Sequence, residues 1–291
     1  MASQSFTRAD GSPKTVIVTG GAGGIGAQTI RTYHSHGCNV VIADLPISKD
    51  AAETLISSLP DPNRAMYYPT NIVDWVNMRE MFKAVVKSFG QVDVVVANAG
   101  MMESENFYDF EFDEEGELKE PRGAYRTVDV NLKGTMNNKD GARGSVILIA
   151  STSGYFGGTG VVGYISSKHG VVGLCRSSQR KANEFGLRVN VVAPFFTPTY
   201  ITGEYSDAWR KRGLPANTVE DVAKAVVETS MDPQRKGHSV MVAGKVVREI
   251  ETVLNGMTKQ WLGEEIADVM VAGGKFFDEM GGYPMPKPRP E

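Results

Sequence analysis

Short runs of β-branched and apolar residues recur along the chain with little polar interruption: Thr15–Val18, Val40–Ala43, Val92–Ala97, Val146–Ala150, Val189–Ala193 and Ser239–Val242. Such runs, near-continuously apolar rather than alternating, predict strands buried on both faces, as in a parallel sheet held between helices. A weaker run at Ala65–Tyr68 brings the expected strands to seven. Apolar positions fall at helical spacing over Asp74–Phe89, Tyr164–Phe185 and Val219–Thr229. The alternation predicts an α/β fold: three layers, doubly wound, around a seven-stranded parallel sheet spanning residues 14–244.

Three regions stand outside that repeat. Residues 1–13 read as a flexible N-terminus. Met101–Pro121 is an acidic, aromatic-bearing stretch, long for a connection, and reads either as a lid or as a solvated excursion. Residues 245–291 read as a C-terminal helical extension, with helices over Val246–Leu254 and Glu264–Val271 and a disordered Pro-rich tail, PMPKPRPE.

Composition narrows the partners. The 31 basic and 34 acidic residues leave a net charge of −3, so electrostatics favours neither nucleic acid nor an anionic membrane. No apolar run approaches the roughly 18 residues needed to span a bilayer, and the N-terminus lacks the apolar core of a signal peptide. Cys38 and Cys175, with no neighbour at ligand spacing, argue against a disulfide framework or metal site and for a reducing, cytoplasmic setting. A small-molecule substrate is the expected partner.

The first strand leads through Thr19-Gly20-Gly21-Ala22-Gly23-Gly24-Ile25-Gly26 into a helical pattern, the context of a dinucleotide-binding turn. Gly20 permits a tight turn, Gly24 admits backbone N–H groups to a pyrophosphate, and Gly26 allows close packing of helix on strand, while the helix N-terminus supplies positive potential. Asp44 ends the second strand, eighteen residues past Gly26, where a carboxylate accepts from both adenosine ribose hydroxyls and repels a 2′-phosphate. Neither Gly23 nor Leu45 offers a compensating cation, so the expected cofactor is NAD. A carboxylate that merely caps the next turn would carry no such preference.

Tyr164 and Lys168, four apart at the start of a helix, share one face. Ser151, at the end of a buried strand thirteen residues upstream, can converge with them on one cleft. With the glycine loop, Asp44, Asn98-Ala99-Gly100 and Asn131 in the same order, the chain resembles the short-chain dehydrogenase/reductase family over about residues 14–244. The resemblance implies a Rossmann fold and a hydride moving between an alcohol carbon and nicotinamide, while a proton moves at the oxygen. A phenol with an ordinary pKa of about 10 is a poor base near neutrality, so Tyr164 as acid/base needs nearby positive charge, with Lys168 the candidate. Ser151 would hydrogen-bond the substrate oxygen. By the same resemblance, Lys168 also holds the nicotinamide ribose and Asn131 anchors a water that relays the proton. Asn71, where the family usually has aspartate, would meet adenine, and Ile72 would also contact the cofactor. Pro194, Thr197 and Thr199 would hold the nicotinamide amide, with Phe195 in place of the usual glycine.

The chain departs from the family between Asn131 and Ser151, where Asn137, Asn138, Asp140, Gly141 and Gly144 are poor helix interior material. The expected consequence is a helix that unwinds after Met136, which puts the family's common dimer interface in doubt. Tyr155, Phe156, Phe196, Tyr200, Tyr205, Trp209 and Leu214 suggest an apolar or aromatic substrate, with Tyr155 and Phe196 as direct contacts, although aromatic residues there serve packing equally well. The pattern looks like that of fungal members acting on secondary-metabolite alcohols such as polyketides. Two alternatives stand beside this reading: a cofactor-binding scaffold or sensor without hydride transfer, and a redox-neutral cyclase or dehydratase.

Overall fold

The structure is a computed structural model of the 291-residue chain and describes residues 6–109, 111–136, 144–284 and 286. Asn137, Asn138, Asp140 and Gly141, and most of the Pro-rich tail, lie outside the described residues.

The strands are β1 (Thr15–Thr19), β2 (Asn39–Asp44), β3 (Ala65–Pro69), β4 (Val94–Ala97), β5 (Ser145–Ile149), β6 (Arg188–Pro194), β7 (Ser239–Ala243) and β8 (Val246–Glu249). The helices are α1 (Gly24–Ser35), α2 (Lys49–Ser57), α3 (Trp75–Phe89), α4 (Arg122–Val128), α5 (Val162–Glu184), α6 (Gly203–Lys211), α7 (Val219–Met231), α8 (Glu251–Gly256), α9 (Thr258–Leu262) and α10 (Glu264–Glu279). The sheet order is β3-β2-β1-β4-β5-β6-β7-β8, and β1 to β7 pair in parallel.

Successive strand residues point to opposite faces, so each continuous apolar run feeds two cores. Val16, Val18, Val40 and Ile42 pack with Ile30 and Tyr33 of α1, Leu55 of α2 and Val222 and Val226 of α7. Ile17, Val41 and Ala43 face the other way, onto Met78, Met81 and Val85 of α3. Leu148, Ala150, Val191 and Ala193 meet Val171, Val172 and Cys175 of α5. This is the three-layer, doubly wound arrangement expected, with one strand more.

That strand is a correction. Val246–Leu254, expected as helix, divides into β8 and α8. Gly244, at φ +61°, turns the chain back directly after β7, so Val246 and Val247 reach the open sheet edge. There, unpaired backbone groups offer a strand partner that a lone sequence window does not reveal. The described residues ahead of β1 make specific contacts. Arg8 donates through Nη2 to Asp93 at 2.8 Å, and Thr7 bridges to Pro13. The chain divides into two compact units, Met1–Arg248 and Glu249–Glu291. In the second, α10 runs on to Glu279, and Lys259 pairs with Asp268 at 3.0 Å. Among the described residues, no helix is long and apolar enough to cross a membrane.

Candidate active site

The sheet order reverses direction between β1 and β4, which opens a crevice at the carboxyl ends of the strands. A cavity of about 570 Å³ lies there, walled by the segments that leave β1, β2, β4, β5 and β6 and by Tyr164 and Lys168 from α5.

The glycine turn is built by close approach. Gly20 has φ +63°, and a Cβ on it would stand 2.9 Å from the Ala99 Cα; on Gly26 it would stand 2.1 Å from the Gly20 carbonyl oxygen. Thr19 is fully buried and accepts at Oγ1 from the Asn98 and Ala99 N–H groups at 3.0 and 3.1 Å, while Asn98 donates through Nδ2 to the Thr19 and Gly20 carbonyls. Thr19, Gly26 and Asn98 therefore clamp the turn to the end of β4. At the N-terminus of α1 no side chain caps the helix, and Gly23 has open space where a Cβ would be. First-turn N–H groups facing a cleft without a protein acceptor suit a phosphate. A dinucleotide's pyrophosphate thus fits the residues present.

Asp44 lines the same cavity. Its Oδ2 accepts from the Ala22 N–H at 3.0 Å, and its Oδ1 accepts from the Leu45 N–H and the Ser48 hydroxyl at 2.8 and 3.0 Å. The carboxylate holds the glycine turn and caps the next one, while its charge stays at the cavity wall. Gly100, Pro194, Phe196, Thr197 and Thr199 also line the cavity, and the Thr199 methyl faces Gly24. Phe196 stacks on Trp209 with centroids 4.2 Å apart.

Tyr164, half-buried in the first turn of α5, shares a hydrogen bond with Ser151. The Ser151 Oγ also accepts from the Ser153 N–H at 3.1 Å. Lys168 is buried, its Nζ donates to the Ile149 carbonyl at 2.8 Å, and it lies 5.6 Å from the centre of the Tyr164 ring. Burial brings the Lys168 ammonium down to about 8. Burial also pushes the Tyr164 phenol above its ordinary value; the Ser151 hydrogen bond pulls it back, and the Glu103 carboxylate adds to the rise. The protein groups alone do not supply the lowering that the chemistry asks for.

Asn131 lies behind these residues, outside the cavity lining. After α4 the helix widens into a π-turn over Asp129–Gly134, a form that recurs at functional sites. There the Asn131 Oδ1 accepts from the Met101 N–H at 2.8 Å, and its Nδ2 donates to the Met101 carbonyl at 2.8 Å and the Ser167 hydroxyl at 3.0 Å. Asn71 and Ile72 also stand outside the lining: Asn71 is exposed, its Oδ1 accepting from the Val73 N–H, and Ile72 is buried beside α3. Tyr155, also outside the lining, packs on the α5 core under Arg176.

Sequence reasoning missed several residues here. Met101, Met102, Ser48 and Ala51 line the cavity. Asn217, buried beneath it, donates through Nδ2 to Phe195 O, Thr197 Oγ1 and Val242 O. Glu103 reaches the start of α5, accepting from the Gly163 and Tyr164 N–H groups at 2.8 and 2.9 Å. Ser48, four residues past Asp44, left a local signal; Asn217 and Glu103 act on segments too distant in sequence to leave one.

A helix end open to an anion, facing a phenol, a hydroxyl and an ammonium across one crevice, defines an oxidoreductase working on a small molecule with a nucleotide-borne acceptor. The family model for short chain dehydrogenase matches residues 14–209, and the chain belongs to that family, whose dehydrogenases use nicotinamide cofactors. It is 32% identical over 277 residues to the short-chain dehydrogenase/reductase prx4 of Penicillium roqueforti, covering 91% of this chain and 79% of that protein. It is 33% identical to (+)-borneol dehydrogenase 1 of Salvia officinalis over 75% of this chain and 87% of that one. The crystal structure of 3-hydroxyacyl-CoA dehydrogenase type-2 from Mycobacterium avium superposes with a TM-score of 0.67 at 27% identity, over 79% of this chain and 95% of that chain.

Proposed function

We propose that this oxidoreductase interconverts a hydrophobic secondary alcohol and its ketone with NAD, and that Tyr164 is the acid/base. The observation that carries the reading is the meeting of Tyr164, Ser151 and Lys168 at one cavity wall opposite the open end of α1. The first-turn N–H groups of α1 would hold the pyrophosphate, Asp44 the adenosine ribose, Lys168 the nicotinamide ribose, and the Pro194–Thr199 segment the nicotinamide amide. When bound, the cofactor supplies the hydride acceptor and a positive ring charge.

In the oxidation direction Tyr164 Oη takes the alcohol proton while Ser151 Oγ donates to the substrate oxygen and steadies the charge that develops there. The Lys168 ammonium, on the same helix face, favours the phenolate. Asn131 braces this set by tying Met101 to Ser167. Phe196, stacked on Trp209, and Met102 give the open side of the cavity an apolar wall, which supports a hydrophobic substrate. Cys38 and Cys175, both buried and neither in a disulfide, fit a reducing compartment.

The test is Tyr164→Phe, assayed by nicotinamide absorbance with a panel of hydrophobic secondary alcohols that includes (+)-borneol. Turnover is expected to fall by about 10² to 10⁴ with NAD affinity nearly unchanged. Retained turnover would refute the assignment, and NAD binding by the wild type without hydride transfer to any panel member would favour the scaffold or redox-neutral alternatives.

A further inference from the structure

The N-terminus of α5 carries Tyr164 in its first turn, and its cap residue Val161 offers no side-chain acceptor. The orphan N–H groups of Gly163 and Tyr164 are taken by Glu103, a residue about sixty positions away in the stretch that follows β4. Its Oε1 accepts from the Gly163 N–H at 2.8 Å and its Oε2 from the Tyr164 N–H at 2.9 Å. A carboxylate at a helix N-terminus also meets the positive end of the helix dipole.

The other end of the Tyr164 peptide is held as well. The Ser167 hydroxyl donates to the Tyr164 carbonyl at 2.7 Å and accepts from Asn131 Nδ2 at 3.0 Å. Asn131 in turn binds both the N–H and the carbonyl of Met101. The hydrogen bonds close a ring, Tyr164–Ser167–Asn131–Met101 and, two residues along the chain, Glu103 back to Tyr164. Gly163 leaves no room for slack on the neighbouring side, since a Cβ there would stand 2.8 Å from the Ala124 Cα. Glu103 is the member of this ring that carries a full charge.

We propose that Glu103 is a positioning residue for Tyr164: its carboxylate holds the first turn of α5, couples the segment after β4 to the phenol, and sets the field in which the phenol gains and loses its proton. This rests on the reading of Tyr164 as the acid/base. It also gives the start of the acidic Met101–Pro121 stretch a structural task, in place of free solvation. The negative charge opposes formation of the phenolate, in keeping with the direction in which Glu103 acts on Tyr164. Glu103 therefore fixes the phenol's geometry at the cost of a higher phenol pKa, which leaves the balance to nearby positive charge such as the Lys168 ammonium.

The full-length protein, labelled at the tyrosine Cζ carbon with ¹³C, allows the Tyr164 resonance to be assigned by its loss in Tyr164→Phe and titrated by NMR without any substrate. Glu103→Gln removes the charge and one of the two acceptors, so the Tyr164 titration is expected to move down relative to wild type. Glu103→Asp keeps the charge and should titrate within about 0.3 unit of wild type. In steady-state assays on the alcohol panel, Glu103→Ala should lower kcat about tenfold with the NAD KM within about twofold, and Glu103→Asp should recover part of that loss. A helix cap without influence on the phenol would lower thermal stability in all three variants and leave titration and kcat unchanged, which would overturn the proposal. Retained turnover in Tyr164→Phe would overturn the acid/base reading instead, with the NMR titration still deciding whether Glu103 governs the phenol.

Discussion

At the scale of single residues, the site is organised by polar groups that serve two masters. Asp44 caps the turn after β2 and holds the glycine turn through Ala22, so the capping reading and the ribose-binding reading describe the same carboxylate. Its charge, not its free lone pairs, is then the basis of the expected discrimination against a 2′-phosphate. Asp44→Ala should raise the NAD KM about tenfold, the equivalent of one charge-assisted hydrogen bond, and narrow the ratio of NADP to NAD KM. Comparison of the two Michaelis constants checks this, and a wild-type enzyme that prefers NADP would contradict it. The convergence of Tyr164, Lys168 and Ser151 on one cavity was legible because Tyr164 and Lys168 sit one turn apart and Ser151 ends a strand. Asn131 was legible as a position, but its bonds to Met101 and Ser167 depend on a π-turn that no local pattern announces.

At the scale of elements, α5 shows how a helix is specified by contacts on one side and composition on the other. Gly173, in the interior of α5, costs the helix roughly 1 kcal/mol relative to alanine, and Gly163, in the first turn, costs less. A Cβ on Gly163 would press on the Ala124 backbone at 2.8 and 2.9 Å, whereas a Cβ on Gly173 would meet nothing within 4 Å. Gly163→Ala should therefore destabilise by about 1–2 kcal/mol, because backbone cannot give way as a side chain can. Gly173→Ala should stabilise by up to about 1 kcal/mol. Urea denaturation of the two variants measures the contrast, and equal signs would show that α4 does not press on α5. The parallel strands were readable because a sheet covered on both faces leaves no polar alternation. The β8 strand was not, since four residues with two valines suit a helix end as well as an edge strand, and only the open edge of β7 decides between them.

At the scale of the whole molecule, stability is traded for the site. Lys168 is buried with its ammonium at about 8, against an ordinary value of 10.5. Its folded-state value is depressed, so between these two pH values the unfolded chain binds more protons than the folded one. Stability from this group therefore rises as pH climbs from about 8 to 10.5 and is at its lowest below 8. The buried charge costs about 3 kcal/mol at pH 7, offset by about 1 kcal/mol from the bond to Ile149. Lys168→Met is expected to be about 2 kcal/mol more stable than wild type at pH 7, to lose that advantage by pH 10.5, and to be catalytically impaired. Denaturation curves at the two pH values check it; a variant less stable at pH 7 would show that the ammonium is stabilising where it lies.

The sequence by itself determined the layers, the parallel strands, the glycine turn and the Tyr164–Lys168 face, because each is written in spacing within a few residues of itself. Only the tertiary structure decided what those groups touch. It left Asn71, Ile72 and Tyr155 out of the cavity lining, turned Asn131 inward, added β8 at the sheet edge and brought Glu103 under the helix that carries Tyr164. The Asn131 and Glu103 bonds join segments far apart in the chain. Such a partner is chosen by which strand ends and helix starts the crossovers bring together, and spacing along the sequence holds no record of that.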